Sequence, residues 1–131
     1  MRSMNKIMLI GRLAADPEKR VFDSGRTMSF FPVAVNRDWK SSDGKKSQTT
    51  DYHRIVAWAK LAEISNKMLK KGMGVYVEGR LMNREYNDHN GEKKYMTEIV
   101  LDTLNILDWL KSKTGQVEDV GLKEVDEKEE E

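Results

Sequence analysis

One short stretch of the chain, DYHRIVAWAKLAE at 51–63, places large aromatic side chains and a cation at alternating positions. Side chains of a β-strand point alternately to opposite faces, so Tyr52, Arg54 and Trp58 would share one face. His53 has the opposite parity and would point to the interior or to a subunit contact. Rings beside cations suit the binding of single-stranded nucleic acid, because rings stack on any base and cations attract phosphates.

The same combination of ring and cation recurs elsewhere in the sequence. The candidate stacking residues are Trp39, Tyr52, Trp58 and Tyr86, and the cations near them are Arg37, Lys40, Arg54, Lys60 and Arg84. A single aromatic residue in a strand is more often part of the core than of a binding surface. Four of them beside cations favour binding over packing.

The sequence lacks the patterns typical of catalytic or metal sites. It contains no Cys, which excludes thiol catalysis, disulfides and cysteine-ligated zinc. The two histidines, His53 and His89, are far apart and give only a weak metal signal. No nucleophile elbow, P-loop or zinc signature is present. We therefore expect no enzyme activity, no metal and no cofactor.

The formal net charge of +1 hides a segregation of charge along the chain. Residues 118–131 hold eight acidic residues and two lysines, which leaves a body of about +7 and a tail of about −6. A basic body attracts polyanions, although a mixed surface with a solubilising tail is the alternative. The tail has few large apolar residues, so we expect 1–111 to form one folded domain and 112–131 to be disordered.

No apolar run in the sequence is long enough to cross a membrane or to act as a secretory signal. The first residues, MRSMNK, are too short and polar for a targeting segment. We therefore expect a soluble, cytoplasmic protein with no membrane partner.

Apolar periodicity and turn residues divide the body into strands and one helix. Leu61, Ile64 and Met68 recur at helical spacing, which predicts a helix over 60–72 that ends at Gly72. Pro32 predicts an edge or a bulge. The predicted strands are NKIMLIGRLAADP, two runs around the turn Asp23-Ser24-Gly25 in VFDSGRTMSFFPVAVNRDW, DYHRIVAWA, GVYVEGRLMNREY and YMTEIVLDTLNILDWL.

The two remaining segments are predicted to be loops. Residues 40–50 are polar and contain a glycine, which predicts a mobile loop, and 87–94 predicts a hairpin loop. The order is thus three strands, one helix and two strands. This order favours an all-β OB-fold, a five-stranded Greek-key barrel with one helix between strands 3 and 4. An SH3-like barrel or a small α+β sheet is the alternative.

Several segments together resemble the bacterial single-stranded-DNA-binding proteins. These are NKIMLIGRLAADPEKR, VAVNRDW, YHRIVAWAKLAE, KKGMGVYVEGRL and YMTEIV, in this order, within about 4–108. The resemblance implies an OB-fold, a homotetramer and no catalysis. It also implies sequence-independent wrapping of single-stranded DNA at the nucleoid, in replication, recombination and repair.

The resemblance also implies roles for single residues. Base stacking falls on Trp39, Tyr52, Trp58 and Tyr86, phosphate contacts fall on Lys6, Arg20, Arg54, Lys60, Lys71 and Arg84, and a subunit interface falls on His53. Members of the family commonly have Trp where this chain has Tyr52 and Tyr86, which reduces the stacking area here.

The tail departs from the family pattern. It ends VEDVGLKEVDEKEEE, without a long linker or a Pro-Phe tip, which argues against recruitment of replication and repair enzymes through the C-terminus. Two alternatives stay open, and the absent tip favours the first of them. One is a phage-type, plasmid-type or replication-restart accessory OB protein, and the other is an RNA-binding OB protein.

Overall fold

The structure, a computed structural model, describes residues 1–108 and 124–125. The helix and strands are β1 Ile7–Leu13, β2 Glu18–Val21, β3 Thr27–Lys40, β4 Lys46–Trp58, α1 Ala59–Met68, β5 Gly74–Asn87, β6 Lys93–Asp108 and β7 Glu124–Val125. The short β7 pairs antiparallel with β6. Apart from β7, the tail predicted to be disordered lies outside the described residues, so its disorder stays a prediction.

The five long strands β1, β3, β4, β5 and β6 form a closed barrel. The sheet order is β1-β5-β6-β4-β3-β2, and an additional pairing of β1 with β3 closes the sheet on itself. The helix follows the third of the long strands. The predicted all-β OB-fold, with one helix between strands 3 and 4, is therefore confirmed.

The core fills the barrel from alternate positions of these strands. Its fully buried residues include Val33, Ile55, Val75, Val77, Leu104 and Ile106. Period-two alternation places their neighbours in sequence on the outside of the barrel. The β3 residues that pair with β2 end at Phe30, and those that pair with β1 begin at Val33. Pro32 lies between these two sets, so its missing N–H interrupts neither of the two ladders.

Two glycines allow strands to approach closely. A Cβ added to Gly11 would overlap the carbonyl oxygen of Ala34, across the β1–β3 closure. A Cβ added to Gly79 would overlap the carbonyl oxygen of Val100. The register of β5 against β6 shifts at Gly79, which is typical of a β-bulge.

The β3–β4 and β5–β6 pairs continue beyond the barrel as two-stranded ribbons, as far as Lys40–Lys46 and Asn87–Lys93. Because β4 and β6 are parallel neighbours, both ribbons leave the barrel on the same side. The prediction of a mobile loop over 40–50 is therefore wrong for residue 40 and for 46–50, which belong to β3 and β4. Cross-strand hydrogen bonds between polar side chains, such as Thr50 Oγ1 to Asn36 Oδ1 at 2.9 Å, support these polar strands.

The helix starts directly after β4 and ends earlier than predicted. Leu69 leaves the helix in an extended conformation (φ −88°, ψ 144°) and is buried in the core, so the helix stops before the predicted end at Gly72. Ala59, the first helical residue, has φ 55°. This left-handed conformation is unfavourable for a residue with a Cβ. The sharp turn at Ala59 joins Trp58 to the helix without a loop.

The substitution Ala59→Gly is expected to raise the free energy of unfolding by about 0.5–1 kcal/mol. Glycine adopts a positive φ without a Cβ clash, and this gain exceeds the entropy that glycine adds to the unfolded chain. Urea denaturation measures the change. The control Glu63→Gly, at an exposed position of the same helix, should instead lower stability by about 1 kcal/mol. A loss of stability in Ala59→Gly would contradict the strain.

Candidate nucleic-acid interface

The outward face of β4 carries the residues that the sequence groups together. Ile55 and Ala57 are fully buried, so the opposite parity of Tyr52, Arg54 and Trp58 directs these side chains outward. In the antiparallel register, Tyr52 pairs with Ala34 and Trp58 pairs with Met28. His53 is half-buried on the core parity of β4 and points away from this face, as predicted.

One carboxylate joins two of the predicted phosphate contacts in the middle of this face. Arg54 Nε donates to Glu98 Oε2 at 2.6 Å, and Arg84 Nη2 lies 3.4 Å from the same oxygen. Glu98 is only 8% exposed, and the Arg54 guanidinium lies 4.0 Å from the centroid of the Phe30 ring. Both arginine side chains remain partly exposed, and each has further N–H donors for a phosphate.

The end of β4 holds a second group of rings and cations. The Phe22 and Trp58 rings are stacked with centroids 5.7 Å apart, and the Arg26 guanidinium lies 4.3 Å from the Trp58 centroid. The strand register brings Arg20 opposite Met28, which in turn pairs with Trp58. Lys60 is exposed in the first turn of α1. Trp58, Arg20 and Lys60 thus lie at one end of the face.

The two ribbons carry the remaining predicted aromatics. Tyr52 is 67% exposed, and Tyr86, which pairs with Lys94, is also exposed on the outward parity. Trp39 is exposed but has the opposite parity, and its Nε1 donates to Thr49 Oγ1 at 3.0 Å. The structure therefore places three of the four predicted stacking residues on one face and Trp39 on the other face of its ribbon.

Sequence reasoning missed three aromatic or charged neighbours of these residues. Tyr95 is 71% exposed and pairs with Glu85, on the ribbon face opposite to Tyr86. Its position at the start of the predicted strand YMTEIVLDTLNILDWL was the signal available for it. Glu98 and Phe22 gave no such signal, because their contacts with Arg54 and Trp58 join segments that are far apart in sequence.

Lys6 and Lys71, two of the residues predicted to contact phosphates, each contact an acidic residue. Lys6 Nζ lies 3.6 Å from Glu78 Oε1. The hydrogen bond from Tyr76, followed by the charge of Lys6, lowers the pKa of Glu78, and the same bond raises the pKa of Tyr76. Lys71 is exposed after the helix, and its backbone N–H donates to Asp16 Oδ1 at 2.7 Å. Neither lysine belongs to the strands that carry the rings.

A model of the single-strand binding protein family matches residues 4–107 of the chain. The chain belongs to this family. It is 48% identical over 107 residues to single-stranded DNA-binding protein 1 of Chlorobaculum tepidum, a match that covers 81% of this chain and 66% of that protein. The chain thus spans just under two thirds of the length of this relative. Membership confirms the resemblance seen in the sequence.

A solved structure gives the same family likeness. It is described as Plasmodium falciparum SSB in complex with single-stranded DNA, and it matches with a TM-score of 0.77 at 35% identity. The match covers 82% of this chain and 98% of that one.

Other kinds of site find no support in the part of the chain that the structure describes. No group of three or more His, Cys, Asp or Glu residues there is arranged to hold a metal ion. No helix within 1–108 is long and apolar enough to cross a membrane.

The substitution Arg54→Ala is expected to lower the free energy of unfolding by about 1–3 kcal/mol, because it leaves the nearly buried Glu98 carboxylate with only its longer contact to Arg84. The control Arg84→Ala keeps the shorter bond and should cost less than about 1 kcal/mol. Urea denaturation of both variants measures the difference. Equal losses would show that Arg54 is not the main partner of Glu98.

Proposed function

We propose that this protein binds single-stranded DNA without sequence preference and protects it during replication, recombination and repair. The observation that carries the proposal is the outward face on which Tyr52, Trp58 and Tyr86 alternate with arginines. Stacking tolerates every base, and cations follow the phosphates of any strand. The names of the relative and of the solved structure support the same proposal.

Each predicted residue has a role in this proposal. Tyr52, Trp58 and Tyr86 stack on bases, and Trp39 stacks from the other face of its ribbon. The predicted phosphate contacts are Lys6, Arg20, Arg54, Lys60, Lys71 and Arg84. Binding of this kind makes and breaks no covalent bond, so we infer that the protein is not an enzyme. We also infer that it works in the cytoplasm, at the nucleoid.

We further propose that the protein is a homotetramer with His53 at a subunit contact. Met8 and Ile10 are exposed on β1, and Leu107 is exposed on β6. Ile10 and Leu107 also line one groove of about 730 Å³. Exposed apolar side chains grouped in this way are typical of protein interfaces.

Titration of the intrinsic tryptophan fluorescence with poly(dT) tests the binding proposal. Poly(dT) should quench the emission strongly, whereas duplex DNA and poly(rU) should have weaker effects.

The substitution Tyr52→Ala should weaken poly(dT) binding by roughly 1–3 kcal/mol, the usual loss for one stacked base. The control Tyr52→Phe keeps the ring and should bind as the parent does. Equal affinity for poly(rU) would favour the RNA-binding alternative instead.

Light scattering tests the assembly. The expected mass is four times the chain mass of 15.2 kDa. The substitution Ile10→Glu places a charge in the exposed apolar group and should reduce this mass, because burying an unpaired charge is unfavourable. A stable monomer of the parent protein at micromolar concentration would refute the tetramer and leave the binding proposal in place.

A further inference from the structure

The hairpin between β2 and β3 presents an aromatic side chain at an ordered tip. The Phe22 N–H donates to the Arg26 carbonyl at 2.9 Å, and the Gly25 N–H donates to the Phe22 carbonyl at 2.8 Å. Gly25 has φ 89°, which suits glycine at this position of the turn. These bonds hold Phe22 in place although it is 38% exposed.

The contacts of Trp58 make Phe22 the more accessible ring of the pair. Trp58 is half-buried, Phe22 stacks on it at an interplanar angle of 27°, and Arg26 lies over the same indole. A base that approached Trp58 alone would have to share the indole with these two side chains. A base that approached Phe22 would meet an exposed ring already supported from behind.

The charge around the hairpin suits a nucleic-acid backbone. Arg20, Arg26 and Lys60 are exposed here, with Glu18 and Asp23 as the nearby acids along the hairpin. Cations beside a stacking ring attract the phosphates that flank the stacked base.

We propose that Phe22 is a base-stacking residue, the outer ring of a two-ring platform whose inner ring is Trp58, and that Arg26 holds the platform together and faces the flanking phosphate. This inference rests on the proposed function. It extends the binding face beyond the strands of the barrel to the β2–β3 hairpin.

Fluorescence anisotropy of a labelled dT oligonucleotide with the full chain tests this role. The substitution Phe22→Ala should weaken binding roughly five- to hundredfold, the range expected for one stacked base. Phe22→Tyr keeps a ring and should bind as the parent does. Val21→Ala is the matched control, because Val21 is an exposed apolar neighbour on the same hairpin. It should leave the affinity unchanged.

A base-free strand with the same backbone separates stacking from a structural role. If Phe22 stacks on a base, Phe22→Ala should bind this strand as weakly as the parent does, so the difference between the two proteins disappears. If Phe22 only positions Arg26 for a phosphate contact, Phe22→Ala should be weaker on both strands, and the proposal would be wrong. If Phe22 only supports Trp58 through apolar packing, Phe22→Leu should bind the dT oligonucleotide as the parent does, which would also refute the proposal. Phe22→Leu, which keeps an apolar side chain, provides the same comparison if the alanine variant does not fold.

The outcomes separate this inference from the proposed function. If the parent does not bind the dT oligonucleotide, the proposed function fails. If the parent binds and Phe22→Ala binds equally well, only the role of Phe22 is refuted.

Discussion

The barrel depends on two glycines in its strands, because at each of them the backbone of the neighbouring strand occupies the space that a Cβ would need. Gly11 meets the Ala34 carbonyl where β1 joins β3, and Gly79 meets the Val100 carbonyl where β5 crosses β6. Closure fixes the register of every strand, and a slip of one residue would turn each side chain to the other face. The outward direction of Tyr52, Arg54 and Trp58 follows from the burial of Ile55 and Ala57, on the opposite parity of β4, inside the closed barrel.

Much of this arrangement could be predicted from the sequence because strand alternation is local. The parity of residues 51–58 placed the rings and the cation on one face, and the order of elements indicated the barrel. Trp39 was grouped with Tyr52 by its type, although its parity follows that of buried Val33. The contacts of Glu98 and Phe22 join distant segments, and the left-handed Ala59 lies where no glycine marks a turn.

The ion pairs of Glu98 with Arg54 and Arg84 have two opposite effects on the binding of an anionic ligand. The Glu98 carboxylate reduces the positive charge that this face would present to an anionic ligand. The same carboxylate holds Arg54 at a fixed position over Phe30, which reduces the side-chain entropy that binding would otherwise remove. The face therefore depends on arginines that are already placed before a ligand arrives.

The ribbons differ from the barrel in what holds them together. The core cluster of the described chain includes no residue between 36 and 52 and none between 82 and 98. Separating the strands of one ribbon thus breaks cross-strand hydrogen bonds but exposes no core, and such local openings need far less free energy than global unfolding. If the proposed function holds, a long single strand bound by both ribbons would leave one ribbon while the other stays bound, and its release would proceed in small independent steps.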